Sequence, residues 1–376
     1  MITIDEFEEL SEINELYNNM FYSFLKKEIF NGDIIDCLKK YKLPQLKIIY
    51  KCFHGKLDKK SKSELIDSIA EFYKNENIIT TLEIALFNAP LDSVKLLKKI
   101  CKNKKTKLNK KEALSLSSSL NLGYLFISKN KNTYNVYIPT LIKETIDNLI
   151  NNSLIKLLKI KENLFVLTDT MVLLYGFVTI EELIDHYFLL FDNKKLHKDE
   201  IIFFLLTHPD TKELFELDFN NDTIFDLDLY DHNLINDIKE KQNKYPRYKL
   251  NDIKLTTDHL YDFYEHTIEY ETLKYTLVSY GFDEKMTTII LTDILYRYRK
   301  LNLPLEESLS LIASKMDYDY FLSDDDLKKS MIKFLEIIRT PWLNGNSYKE
   351  IEDNSDTINR KPQVYYLKTF NNYNFN

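Results

Sequence analysis

The sequence predicts a mainly α protein, helical and multi-domain, with short β-hairpins set between its helices. Three observations carry this. Only 6 Gly and 8 Pro occur in 376 residues, too few for the tight turns and Gly-rich crossovers of sandwiches, barrels and doubly wound sheets. Leu, Ile, Lys and Glu recur in long runs at helical spacing. A hydrophobic fraction of 44%, with 13% aromatic residues, supplies core for two or three domains and excludes a disordered chain.

Residues 1–32 form a helical lead-in. Ile4, Phe7, Leu10, Ile13, Leu16, Tyr17, Met20, Phe21, Phe24 and Leu25 follow one helical face, and acids occupy the other side until Lys26 and Lys27. Asn31-Gly32-Asp33 supplies a stop and a new cap. The start of the chain lacks a basic region followed by an apolar core, and no window approaches the roughly 18–20 apolar residues of a membrane span. The three cysteines, Cys37, Cys52 and Cys101, have no CxxC spacing. Each sits in an apolar or helical context that suits a small buried thiol. A cytoplasmic protein without membrane association is expected.

Charge is distributed unevenly. Residues 39–111 hold 19 Lys against 7 Asp and Glu, a local net of +12, whereas the whole chain carries −7. Such a block marks an interaction surface for an anionic partner. Within it, residues 33–74 read as a helical hairpin. Leu46 and Lys47 lie on a first helix, His54-Gly55 forms a turn, Leu57 is an apolar contact, and Lys59-Lys60-Ser61-Lys62 leads into a second helix opening Glu64-Leu65-Ile66. From Leu43 onward this line resembles the SAP and Rho N-terminal helix-extended-helix modules. The resemblance implies that basic residues and free amides at the second helix's N-terminus touch nucleic-acid backbone.

Residues 75–150 read as three helices followed by a hairpin. Thr80 to Phe87 gives the first, Pro90 ends it, and Asp92 caps a second that turns Val94, Leu97 and Cys101 inward. Asn109 and Glu112 have capping-box spacing at the start of a third, whose buried side is Ala113, Leu116 and Leu120. Its other side presents Lys111, Ser115 and Ser118. Period-two alternation then marks strands Tyr124 to Ser128 and Tyr134 to Ile138, joined by Lys129-Asn130-Lys131-Asn132. This is the order of a winged-helix-like domain, in which the third helix enters the major groove and the wing tip follows phosphates. Small serines permit close approach and specify little.

Residues 151–250 form a second small helical or winged domain with an acidic segment. Thr179 and Glu182 repeat the capping-box spacing after the Tyr175-Gly176-Phe177 turn, and Thr223 to Leu229 alternates like a strand. Leu173 to Leu183 is similar to a line in largely uncharacterised bacterial proteins in which a Tyr-Gly-Val turn precedes a Glu-Leu helix. Thr340 to Ile351 (TPWLNGNSYKEI) resembles the Trp-x-Leu-x-Gly ending of the same group. Longer members carry a C-terminal SEC-C zinc knuckle. Here no cysteine follows residue 101, so no metal role transfers. Residues 251–352 form a helical bundle of four helices, beginning at Thr257 or Asp258, Asp283, Leu305 and Ser323. Its Tyr264, Tyr270, Tyr275, Tyr296 and Tyr298 suit a boundary layer. An Asn-rich tail, 353–376, ends the chain.

Catalytic constellations are not legible. There is no P-loop, GxGxxG, HExxH or GxSxG. Asp218, Asn220 and Asp222 imitate a calcium loop but lack its Gly and closing Glu. His186, His197 and His208 recur every eleven residues across the polar 192–195 stretch, which argues against one helix. His259 and His266 lack an Glu-x-x-His partner set, and Asp210 with Asp252 and Lys254 fits a nuclease template only by force. The expectation is therefore a non-enzymatic nucleic-acid-binding, DNA-binding protein without cofactor or metal. Lys59, Lys60, Lys62, Lys110, Lys111, Ser115, Ser118, Lys129 and Lys131 would hold a DNA or RNA backbone. The alternative is a protein-protein adaptor, such as a phage-related or host-defence factor.

Overall fold

The structure, a computed structural model, describes residues 19–54, 59–75, 77–191, 196–250, 260–302, 304–316 and 324–355. Gly55, Leu57, Asp252, Lys254, Thr257, Asp258, His259, Ser323, most of the lead-in and the tail from 356 lie outside them. The chain is mainly helical, with two small three-stranded antiparallel sheets. It divides into two compact units, one of residues 2–165 with 203–209, the other of 166–202 with 210–376.

In the first unit local sequence signals start the helices. Asp33 accepts from Asp36 N–H at 2.9 Å while the Asp36 carboxylate takes Asp33 N–H, which opens helix Ile34–Lys39. Ser61 and Glu64 exchange the same pair of bonds before helix Lys62–Lys74. Helix Leu43–His54 lies between them, and Asn77–Asn88 and Leu91–Cys101 follow. The cap of the last is Pro90, not Asp92. Asp92 instead sits in the first turn, where its charge favours the helix dipole, and pairs with Lys95 at 3.2 Å.

The expected third helix is broken. Asn109 and Glu112 form their capping box, but the helix ends at Leu114 and a second short one runs Ser117–Asn121. The cause is the serine run. Ser115 Oγ donates to the Glu112 carbonyl, and the Ser115 carbonyl accepts from buried Ser93 Oγ at 3.0 Å; such local bonds compete with the helical ladder. Strand β1, Lys107–Leu108, pairs with β3, Thr133–Tyr137, which pairs with β2, Phe126–Asn130. The order is β1-β3-β2. The β2–β3 register sets Asn130 opposite Thr133, so the turn is the two residues Lys131-Asn132, with Lys131 at φ 52°.

The lead-in helix stops at Phe24, earlier than its apolar stripe predicts. Lys26 leaves it to bridge Ser128 on the free edge of β2: its N–H donates to the Ile127 carbonyl, and its carbonyl accepts from Lys129 N–H at 2.8 Å. Phe24 and Phe30, on either side of this crossing, pack against Tyr41, and Phe30 also meets Phe126 at 5.1 Å. One apolar cluster runs from Phe21 to Leu158. Helices Leu43–His54 and Lys62–Lys74 share it with the three-stranded sheet. Tyr73 OH donates to the Leu122 carbonyl, and a Cβ at Gly123, held at φ +72°, would lie 2.7 Å from Ile49.

In the second unit β4, Phe177–Thr179, and β5, Phe215–Asp218, flank β6, Thr223–Asp226. The strand expected to reach Leu229 ends at Asp226, whose carboxylate caps helix Leu227–Asp231. The bundle helices are Leu260–Glu265, Ile268–Ser279, Glu284–Leu301, Leu305–Met316 and Asp325–Ile337, so the first expected helix is divided at Thr267, itself an N-cap. Tyr264 and Tyr270 are fully buried, whereas Tyr275 is exposed. The turn at Tyr175-Gly176 and the stretch around Pro341 and Gly345 meet here. Gln242 Nε2 donates to the carbonyls of Tyr175 at 2.7 Å and Pro341 at 2.8 Å, and Gly345, at φ +82°, lies against the Tyr175 ring.

Candidate nucleic-acid interface

The charge contrast of the sequence follows the division into units. The first holds 27 Lys, no Arg, and 20 Asp and Glu, a net of +7; the second therefore carries −14 and all five Arg. Lys39, Lys95 and Lys105 face carboxylates of the same unit, Asp36, Asp92 and Glu112. Desolvation works to raise the Glu112 pKa, but Lys105 and the Asn109 amide hold it below the usual value.

The predicted residues occupy several elements. Lys59 is exposed; Lys60 lies half-buried over the Tyr50 ring at 4.7 Å and donates to Ser68 Oγ at 3.1 Å, so its amine serves packing as well as charge. Lys62 is exposed and its Nζ donates to the Lys39 carbonyl at 3.0 Å. Lys110 and Lys111 are exposed on the short helix Lys110–Leu114. Ser118 is exposed on Ser117–Asn121, while the Ser115 hydroxyl is engaged by the broken turn. Lys129 lies over the Tyr22 and Tyr134 rings at 5.6 and 5.9 Å, and Lys131 is exposed at the hairpin tip.

Sequence reasoning missed a tighter cluster. Lys26, Lys27, Lys39 and Lys40 line an open depression with Glu28, Asn31 and Asp36. Burial lowers the Lys26 pKa, and repulsion from Lys42 and Lys62 lowers it further. Lys26 Nζ lies over the Tyr41 ring at 5.3 Å; Lys40 Nζ lies over Phe30 at 5.4 Å and donates to the Ile29 carbonyl at 2.7 Å. Carbonyls and ring faces position an ammonium without cancelling its charge. The available signal was the pair of Lys-Lys steps at 26–27 and 39–40; their convergence depends on the backbone bridge of Lys26 to β2.

Elsewhere the histidines, acids and cysteines singled out in the sequence have separate local surroundings. His186 Nδ1 meets the Glu182 carbonyl at 2.9 Å, His197 is exposed, and His208 stacks on Phe165 at 3.6 Å between ring centroids. Asp218 accepts from the Asn220 and Asn221 amides within the β5–β6 turn, and Asp222 pairs with Lys198 at 2.5 Å. Cys37 and Cys101 are buried, with thiol pKa values pushed up by burial to about 12, whereas Cys52 is exposed, unlike the buried position expected. Among the described residues no group of three or more His, Cys, Asp or Glu is placed to hold a metal ion. No described helix is long and apolar enough to cross a membrane. Comparison with family models, with curated proteins and with solved structures returns no match to this chain.

Proposed function

We propose that the protein is a non-enzymatic, cytoplasmic nucleic-acid-binding protein that holds a phosphate backbone on its first unit. The observation that carries this reading is the net +7 of that unit beside −14 in the remainder. The element order supports a winged-helix-like assignment: two helices, a short strand, a broken third helix and a hairpin, paired β1-β3-β2. The capped helix Lys62–Lys74 after a basic run supports the SAP-like one. The third helix favours little base readout, because each half has only five residues. The absence of Arg from the unit points the same way. Lysine contacts phosphate as a point charge, whereas the planar guanidinium fork suits bidentate contact with guanine. DNA and RNA backbones are both accessible to such a surface.

The test is retardation of mixed-sequence DNA and RNA at low salt. Binding should weaken by about 0.9 log units per tenfold salt for each duplex phosphate contacted. Replacing Lys59, Lys60, Lys62, Lys110 and Lys111 with Gln should weaken it for all sequences alike. Failure of the wild-type protein to retard either nucleic acid at low salt overturns the reading.

A second reading, a protein-protein adaptor, draws on helix Ile268–Ser279, which leaves Ile268 82% and Tyr275 77% exposed. Recovery of one stoichiometric protein partner after nuclease treatment would favour it.

A further inference from the structure

We propose that the depression between residues 26–31 and helix Ile34–Lys39 is the seat of the phosphodiester backbone, with Lys26, Lys27, Lys39, Lys42 and Lys62 as the cations around it. This rests on the nucleic-acid reading above and assigns its centre to residues outside the β2–β3 hairpin and the short helices Lys110–Leu114 and Ser117–Asn121.

Four features of the geometry support the seat. First, the site is concave and its lining has four lysines against Glu28 and Asp36, with Lys42 and Lys62 close enough to repel Lys26. Second, the lysines outnumber the carboxylates of the lining, and Asp36 approaches Lys39 only at 3.9 Å, with both side chains more than half exposed. A phosphate among these ammoniums removes the repulsion and releases counterions, so binding has a driving force here that isolated surface lysines lack. Third, three of the lysines at the depression are positioned in advance. The Lys26 backbone is fixed to the edge of β2, Lys62 Nζ is tied to the Lys39 carbonyl, and Lys40 is tied to the Ile29 carbonyl. Fourth, the seat draws its lysines from three places in the sequence, the end of the lead-in, the end of helix Ile34–Lys39 and the start of helix Lys62–Lys74. A backbone lying across it touches several of them at once. The open form suits a continuous chain of phosphates rather than an enclosed mononucleotide.

The experiment compares two charge-removal variants by fluorescence anisotropy on a labelled mixed-sequence duplex across a salt series. One replaces the exposed Lys27, Lys39 and Lys42 with Gln; the other replaces Lys110, Lys111, Lys129 and Lys131. Thermal melts establish that both are folded, and the single Lys27→Gln variant replaces the first set if it is not. The seat variant is expected to lose about a hundredfold in affinity at roughly 0.1 M salt and to flatten the salt slope by two to three, or by about one for Lys27→Gln alone. The second variant should lose less per lysine removed. Unchanged binding by the folded seat variant overturns this inference; if the second variant alone loses affinity, the nucleic-acid reading still stands. A wild-type protein that ignores the duplex sinks both. Vesicles of phosphatidylcholine with phosphatidylserine form the last arm, and binding to them in place of the duplex overturns the assignment to nucleic acid.

Discussion

His208 and Lys161 are buried polar groups of the first unit whose placement has a measurable consequence. Burial, helped by the charge of Lys161, pushes the His208 pKa down to about 4; the Glu162 carboxylate, 4.0 Å from Nε2, does not offset this. Lys161 lies over the Phe87 ring at 4.6 Å and donates to the Phe87 carbonyl, and burial brings its pKa down to about 8. Both groups are bases that the folded state holds less readily in charged form. For His208, the unfolded chain binds more protons between the ordinary histidine value of about 6.5 and the folded value. The His208 contribution is therefore fully present above pH 6.5 and is lost as the pH falls toward 4. The full effect is on the order of 3 kcal/mol. Urea denaturation at intervals across that range should show the decline in the wild type and a flatter profile in His208→Gln. Equal profiles would show that the stacked imidazole does not govern acid stability.

At the scale of elements, helix starts were the most legible part of the sequence because their chemistry is confined to four residues. Asp33, Asn109 and Thr179 stand where the sequence places them, each with its reciprocal acid three residues on, whereas the helix expected to open at Glu64 starts at Lys62 with Ser61 as its cap. Asp92 does not cap its helix. Proline before it already sets an extended entry, so its carboxylate is left at the helix surface with Lys95. The two cases give a direct contrast. Asn109→Ala removes a cap and should cost about 1 kcal/mol, whereas Asp92→Ala should stay within about 0.5 kcal/mol. Thermal melts of the two single variants test this, and a larger loss for Asp92→Ala would refute the assignment of caps. Interruptions were less legible. The period of Ala113, Leu116 and Leu120 marks a buried side without revealing that Ser115 breaks the ladder between them. The end of the lead-in helix at Phe24 depends on an edge of β2 a hundred residues away in sequence, which no local pattern records. The same holds for Tyr175 against Gly345 and for the lysines gathered by Lys26. Helical class and the composition of the candidate interface are local properties; its geometry is not.

At the scale of the whole molecule, the net charge of the chain and that of its first unit have opposite signs. The protein has a pI of about 5.7 and a net charge of −7 at pH 7, yet its first unit is positive and its exposed lysines include Lys27, Lys39, Lys42, Lys59 and Lys62. A polyanion senses the nearby field, because exposed charges farther apart than the Debye length, roughly 10 Å at 0.1 M salt, are largely screened from one another. The physical consequence appears on ion exchangers, which sample surfaces rather than sums. At pH 7 and low salt the wild-type protein should be retained by an anion exchanger through its acidic unit and also by phosphocellulose through its lysines. Replacing Lys27, Lys39 and Lys42 with Gln should bring elution from phosphocellulose to lower salt with a much smaller change on the anion exchanger. If the protein flows through phosphocellulose at low salt, the excess of lysine in the first unit forms no cohesive positive surface, and its net charge governs its encounters with anions.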